Sequence, residues 1–242
     1  MEQLIETYWF RSMQLDRFGC WKPSELMGAM QEMGGKHADI IGCGRDALLK
    51  KNAIWVLTRN ELHVLKTPRV GDTIVAATFP GRPRRTLYPR YHTFSLEDGT
   101  LLAYGAGGWT LADLTTHRMV DLPEVAALMP DTSALTPPQG YPAAVTPLTG
   151  EGTTVSRELR YSDFDVNHHV NNTRCADWAS DLLGPQVLEH RPITSFIANY
   201  TREILPGDPV TLTMRVQGDR FFMTCTRGEE RLLDAGGELG RA

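Results

Sequence analysis

The chain of 242 residues has no apolar run near the ~20 residues that a membrane-spanning helix needs. Its first residues, MEQLIETYWF, have neither the positively charged start and long apolar run of a signal peptide nor the arginines of a transit peptide. The net charge of −4 disfavours a protein that wraps nucleic acid or lies on an anionic membrane. We therefore expect a cytoplasmic protein with no nucleic-acid partner and no stable membrane insertion.

Cysteine is also scarce and shows no pattern of its own. The four cysteines are Cys20, Cys43, Cys175 and Cys225. They are widely spaced and form no CxxC pair, whereas zinc sites usually place ligands close together in sequence. The sequence therefore predicts reduced, mostly buried thiols, no metal site and no cofactor.

Proline is concentrated in the middle of the chain. Residues 130–150, PDTSALTPPQGYPAAVTPLTG, contain five prolines and little periodicity, as is typical of a linker. Hydrophobic residues make up 41% of the chain, which is enough for a sizeable core on each side of such a linker. We predict an N-terminal unit over residues 1–129, a linker over 130–150 and a C-terminal unit over 151–242.

The two predicted units resemble each other. FRSMQLDRFGCWKPSEL begins at Phe10 and LRYSDFDVNHHVNNTRC begins at Leu159, and an ungapped alignment places Asp16 on Asp165. Further along, Gly71-Asp72 and Gly207-Asp208 each open an alternating run that contains β-branched residues. The repeated order of features indicates an internal duplication.

Each unit contains one long helix candidate followed by several strand candidates. Apolar residues recur at three- and four-residue steps over about Ser24 to Ile41, and again over about Asn172 to Leu183, where Gly184-Pro185 provides a stop. GCGRDA, beginning at Gly42, is interpreted as a helix stop followed by a loop. Alternating segments such as DTIVAATF and PVTLTMRVQ follow each helix. The sequence predicts an α+β protein with two helix-plus-sheet units whose sheets are continuous.

The densest group of polar residues precedes the second helix candidate, in YSDFDVNHHVNN. Asp165, Asn167 and His169 alternate, so in an extended chain their side chains would share one face. The adjoining helix start, from Val170 to Asn172, offers free N–H groups that can hold an oxyanion. Capping alone would need one polar residue, so this set favours attack of water on a carbonyl. The first unit keeps only the aspartate, because Phe18 and Cys20 occupy the other two aligned positions.

Three blocks of the sequence resemble the acyl-acyl carrier protein (ACP) thioesterase family. They are DFDVNHHVNN, AIWVLTRNELHVLKTPRVGDTI and NYTREILPGD. The resemblance implies two tandem hotdog folds and hydrolysis of the thioester of fatty acyl-ACP, which terminates fatty acid synthesis. It also implies catalytic roles for Asp165, Asn167, His169 and Glu203. Plant relatives have a cysteine after that glutamate, whereas this chain has Ile204, so a cysteine nucleophile has no support here.

These observations give a mechanistic hypothesis. The N–H groups of Val170, Asn171 and Asn172, with the Asn167 amide, would polarise the carbonyl. Either Glu203 or Asp165 would activate water, and the sequence leaves that choice open. His169 would orient the substrate or water, or protonate the leaving thiolate.

Two further groups of residues are candidates for substrate contact. Met27, Met30 and Met33, with Trp55, are predicted to line the acyl pocket, although core packing accounts for the methionines equally well. The arginines of GRPRRTLYPR are predicted to meet the acidic carrier protein, and Lys50-Lys51 is an alternative. These arginines are Arg82, Arg84, Arg85 and Arg90.

Other functions and assemblies fit the same sequence. The alternatives are an acyl-coenzyme A thioesterase of the hotdog superfamily, a non-catalytic acyl-binding hotdog protein and a hotdog dehydratase. A tandem hotdog contains its own pseudo-dimer, so a monomer and a homodimer both fit. The acyl chain length is not specified by the sequence.

Overall fold

In the part of the chain that the structure describes, ten strands form one antiparallel sheet, and helices pack on one of its faces. A computed structural model describes residues 1–207 and 209–240; Asp208, Arg241 and Ala242, which fall within the sequence predictions above, lie outside the described residues. The strands are β1 (Leu4–Trp9), β2 (Ala53–Val64), β3 (Thr73–Pro80), β4 (Tyr88–Leu96), β5 (Leu101–Asp113), β6 (Thr153–Arg157), β7 (Ile193–Tyr200), β8 (Val210–Gln217), β9 (Arg220–Arg227) and β10 (Glu230–Leu239). The helices are α1 (Pro23–Ile40), α2 (Arg45–Leu49), α3 (Pro123–Ala126) and α4 (Arg174–Leu188), with short 3-10 helices at Ser12–Gln14 and Tyr161–Asp163.

The strand order makes the duplication visible. It is β1-β3-β4-β5-β2-β7-β10-β9-β8-β6, so the two halves meet where β2 pairs with β7. Glu61 and Ile197 form the middle pair of that contact. Strand pairings followed outward from this centre match β2 to β7, β3 to β8, β4 to β9 and β5 to β10. The predicted α+β fold with continuous sheets is confirmed.

The helix ends agree with the predictions where neighbouring residues in the sequence determine them. Helix α1 lies within one residue of its predicted ends and is followed by Gly42 in the left-handed region, with φ 84°. Helix α4 starts at Arg174, and its break at Gly184, also left-handed, falls at the predicted stop before Pro185. The loop predicted for GCGRDA is wrong in part, because Arg45–Leu49 forms the short helix α2. Across residues 1–207 and 209–240, no helix combines the length and hydropathy that a bilayer crossing requires.

The two faces of the sheet have different coverings. Both long helices pack over the main core, a cluster that includes Leu62 of β2, Met30 of α1 and Ala176 of α4. Because side chains alternate along a strand, Glu61 points to the other face and accepts a hydrogen bond from Ala143 N at 2.6 Å. Residues 130–150 contain no helix or strand and run along that second face.

Candidate active site

The candidate site is a tight turn that closes between Phe164 and Val170, which form an isolated bridge. Within it, Asp165 N donates to His169 O at 3.0 Å and His168 N donates to Asp165 O at 3.0 Å. The expectation of an extended chain with three side chains on one face is therefore wrong. The cause is local, because the Asp165 carboxylate accepts the Asn167 N–H at 2.8 Å and folds the chain back on itself.

The turn meets the segment that leaves β7. Val170 N donates to Ile204 O at 2.9 Å, which holds residue 203 beside residue 169. As a result the His169 Nε2 atom lies 3.5 Å from Glu203 Oε2. The two side chains are 31% and 48% exposed, so a substrate can reach both. Two residues from separate sequence blocks are thus brought together as an imidazole–carboxylate pair.

The other candidate base is already engaged within the turn. The second oxygen of Asp165, Oδ2, accepts from the Asn171 side-chain amide at 3.3 Å, while Oδ1 accepts the Asn167 N–H. Both oxygens of Asp165 therefore hold parts of the turn in place. Among the described residues, Glu203 has no comparable hydrogen bonds besides its contact with His169.

The predicted oxyanion donors separate into two groups. Val170 N donates to Ile204 O, and Asn171 N donates to Asp163 O at 2.8 Å, so neither N–H is available to a substrate. The expectation for these two residues is wrong, because the chain uses their N–H groups to fasten the turn. In the described part of the chain, the N–H of Asn172 and the side-chain amide of Asn167 donate to no acceptor. These two groups are available to polarise a carbonyl.

The carbonyl oxygen of Asn172, in the peptide group that follows its N–H, accepts two hydrogen bonds. Tyr200 OH donates to Asn172 O at 2.9 Å, and Cys175 Sγ donates to the same oxygen at 3.1 Å. Burial raises the pKa of the Tyr200 hydroxyl well above its usual value and that of the Cys175 thiol to about 12, so both remain protonated donors. Sequence reasoning missed Tyr200, although it precedes Thr-Arg-Glu in a quoted block.

A second missed residue anchors the turn to helix α4. Asp163 is buried and accepts from Arg160 N at 2.8 Å and from Trp178 Nε1 at 3.4 Å. Arg157 lies 3.4 Å from the same carboxylate. No sequence signal distinguishes Asp163 from the neighbouring Asp165, because only the three-dimensional packing makes one of them a buried anchor.

The predicted pocket residues do not form one group. Met27, Met30 and Met33 are buried in the main core, whereas Trp55 belongs to a separate cluster around Tyr88. Trp55 packs edge-on to Tyr88 with ring centres 4.9 Å apart, and its Nε1 donates to Cys43 O at 2.8 Å. A role for these four side chains in acyl binding stays a prediction.

Three of the four arginines predicted to contact the carrier protein are exposed, and the fourth is buried. Arg82, Arg84 and Arg85 are exposed, but Arg90 is buried and donates to His37 Nδ1 at 3.0 Å. The prediction for Arg90 as a contact for a docked protein is wrong, because the alternation along β4 turns this side chain toward α1. Burial lowers the pKa of Arg90 to about 10, so the guanidinium is still charged at neutral pH.

Two hotdog units that share one sheet, with a histidine–glutamate pair at the start of one long helix, define a double-hotdog protein with a site suited to carbonyl chemistry. The N-terminal domain profile of the acyl-ACP thioesterases matches residues 3–128, and the C-terminal domain profile of the same enzymes matches residues 149–231. The chain belongs to the acyl-ACP thioesterase family.

Individual relatives are distant in sequence but close in fold. An acyl-[acyl-carrier-protein] hydrolase from Cuphea viscosissima is 25% identical over 190 residues, which cover 74% of this chain and 46% of that protein. The chain thus spans about half the length of this curated relative. An acyl-ACP thioesterase from Bacteroides thetaiotaomicron has a TM-score of 0.86 at 20% identity over 98% of both chains. The 12:0-ACP thioesterase from Umbellularia californica has a TM-score of 0.83 at 21% identity, covering 99% of this chain and 97% of that one.

Proposed function

We propose that this protein hydrolyses the thioester of fatty acyl-ACP, giving a free fatty acid and the carrier protein with its free phosphopantetheine thiol. The observation that carries the proposal is the pair of His169 and Glu203, 3.5 Å apart, with His169 three residues before the unengaged N–H of Asn172 in the chain. A base, an imidazole and an oxyanion donor are the groups that acyl transfer to water requires. Membership of the family supplies the substrate class.

The first chemical step is attack of water on the thioester carbonyl. Glu203 accepts a proton from the water as its oxygen bonds to the carbonyl carbon. The developing oxyanion is stabilised by the Asn172 N–H and the Asn167 side-chain amide. Tyr200 and Cys175 hold the neighbouring Asn172 carbonyl in place.

The second step breaks the carbon–sulfur bond. The tetrahedral intermediate collapses to the carboxylic acid, and the proton taken from water passes through His169 to the departing sulfur. Asp165 keeps the turn closed and acts as a positioning residue. Assigning the base to Glu203 follows from the different engagement of the two carboxylates.

The test is a panel of fatty acyl-ACPs and matched acyl-coenzyme A thioesters of increasing chain length, with released fatty acid and free thiol both measured. Hydrolysis that favours the carrier-bound substrates supports the proposal and gives the chain-length preference. Faster hydrolysis of acyl-coenzyme A would identify the alternative thioesterase. Binding without thiol release would identify an acyl-binding protein, and an enoyl product without thiol release would identify a dehydratase.

The partner implied by this proposal is an acyl carrier protein with a fatty acyl-phosphopantetheine arm. A cytoplasmic location and assembly as a homodimer stay predictions. Sedimentation of the purified chain would decide between the monomer and the homodimer.

A further inference from the structure

The loop between β3 and β4 presents a concentrated positive charge that serves no internal purpose. Arg82, Arg84 and Arg85 are all exposed, and within residues 1–207 and 209–240 their side chains make no hydrogen bond or ion pair. No acidic residue occurs between Asp72 and Glu97, although the chain as a whole has a net charge of −4. Three neighbouring like charges repel one another, so the fold gains nothing from them.

This loop leaves the sheet at the same end as the catalytic glutamate. Strands β7 and β3 point the same way, because four antiparallel pairings separate them. One row of partners crosses all five strands: Asn199, Arg59, Gly108, Pro89 and Gly81. Glu203 follows Asn199 along the chain, beyond the C-terminal end of β7. Arg82 follows Gly81, beyond the C-terminal end of β3. Neighbouring strands are ~4.8 Å apart, so the row spans on the order of 19 Å along the sheet.

The phosphopantetheine arm is a long flexible chain, so a carrier protein contacts its enzyme away from the reacting thioester and not at the catalytic residues themselves. Because carrier proteins are acidic, a basic surface at the same end of the sheet attracts them and raises the rate of productive encounter.

We propose that Arg82, Arg84 and Arg85 form the surface on which the acidic carrier protein docks while its acyl arm reaches the site at Glu203. This inference rests on the proposed thioesterase function and adds where the partner binds. Arg90, which is buried against His37, has no part in the surface.

The structure offers a matched control for testing this surface. Lys66 and Arg69 are also exposed, and they lie in the segment before β3, at the opposite end of the same sheet. The doubly reversed variants Arg82→Glu/Arg84→Glu and Lys66→Glu/Arg69→Glu change the net charge equally. Both pairs of side chains are exposed, so we expect little effect on folding. Each variant is assayed with acyl-ACP, acyl-coenzyme A and an acyl-N-acetylcysteamine thioester, and its binding to acyl-free carrier protein is measured directly.

We expect the Arg82/Arg84 reversal to lower kcat/KM for acyl-ACP by about tenfold or more at low salt, mainly through KM, and to weaken carrier binding. The difference should shrink as salt is added. Turnover of the N-acetylcysteamine thioester should not change, and the Lys66/Arg69 reversal should have a much smaller effect on acyl-ACP.

Three results would overturn the docking surface. Equal losses in both reversed variants would make the effect one of net charge. Equal losses on acyl-ACP and acyl-coenzyme A would indicate that the arginines bind the phosphopantetheine arm that both substrates share, and not the surface of the carrier protein. An unchanged acyl-ACP rate would show that the carrier docks elsewhere. By contrast, a wild-type protein that binds carrier but hydrolyses no thioester would contradict the proposed function and leave the docking surface supported by the binding data.

Discussion

The turn before α4 and its counterpart before α1 have the same backbone architecture. Asp16 N donates to Cys20 O at 2.8 Å in the first half, as Asp165 N donates to His169 O at 3.0 Å in the second. The carboxylate of Asp16 accepts the Phe18 N–H at 2.9 Å, as that of Asp165 accepts the Asn167 N–H at 2.8 Å. An aspartate in this position therefore closes the turn whether or not the turn has a catalytic site.

The two turns differ in the groups that the proposed chemistry needs. Strand pairings and the turn alignment match each residue of the proposed mechanism to a residue of the first half that cannot take the same role. The matches are Asn167 with Phe18, His169 with Cys20, Asn172 with Pro23, and Glu203 with Thr67. Proline has no N–H, so even the backbone donor at position 172 has no equivalent. The difference supports the proposed division, in which these four residues act in catalysis and Asp165 closes the turn.

The cores of the two halves differ in polarity, and here the polar residues lie in the first half. Under α1 the sheet presents Thr78, Arg90 and His92, which are buried polar residues, and Asn60 is buried in the adjoining β2. The strand pairings match these four positions to apolar residues in the second half, namely Met214, Phe221, Met223 and Phe196. The second half therefore has the more apolar core, and the first half has a buried cation without a carboxylate partner among the described residues.

The largest loss of activity is expected when the residues of the first turn replace their counterparts in the turn before α4. The variant Asn167→Phe/His169→Cys should fold, because the same residue types already occupy the same backbone geometry in the first half. It loses an oxyanion donor and the proton carrier, so kcat for acyl-ACP should fall by on the order of 10⁴-fold. Steady-state kinetics and the thermal unfolding midpoint are measured together. Loss of folding along with activity would mean that the two turns are not interchangeable.

Removing the proposed base tests the same assignment with one atom changed. Glu203→Gln should lower kcat by ~10³-fold and leave acyl-ACP binding intact, because a neutral amide cannot accept the proton of water. Glu230→Gln is the matched control, since Glu230 is exposed and contacts the neighbouring Arg202. Near-normal turnover of Glu203→Gln would reject this base.

Replacing Asp165 and its counterpart Asp16 with asparagine separates turn closure from catalysis. An asparagine side chain can close the same type of turn, so Asp165→Asn should retain activity within about tenfold of wild type. Asp165→Asn and Asp16→Asn should each lower the free energy of unfolding by about 1 kcal/mol, since a charged acceptor becomes a neutral one. Denaturant unfolding measures both. If Asp165→Asn were as inactive as Glu203→Gln, the aspartate would have a catalytic role beyond closure.

The sequence predicted the features whose causes are local. Helix α1 is defined by its own apolar stripe and by Gly42, and its ends were predicted within one residue. The alternation of Asp165, Asn167 and His169 favoured an extended chain, because the pattern does not show that the Asp165 carboxylate would bind the backbone two residues on.

Contacts between residues far apart in the sequence could be found only from the family resemblance or from the three-dimensional structure. The pairing of His169 with Glu203 depends on how β7 ends beside the turn, and only the resemblance connected the two residues beforehand. Arg90 was grouped with its exposed neighbours because the sequence shows a cluster of arginines but not the point at which the loop becomes a strand. The burial of that strand under α1 separates Arg90 from the rest.

The smallest expected effect concerns the polar core and its response to acid. Burial and the charge of Arg90 lower the pKa of His37, and they lower that of the fully buried His92 well below its usual value. The unfolded chain takes up protons on these histidines below about pH 6.5, whereas the folded chain does not, so stability is lost as the pH falls through that range. His92→Met introduces the residue of the matching position in the second half and removes one such group. We expect the unfolding midpoint of this variant to fall less between pH 7 and pH 5 than that of wild type. His190→Gln, at an exposed position, should keep the wild-type slope, and equal slopes for all three proteins would show that the buried histidine does not contribute.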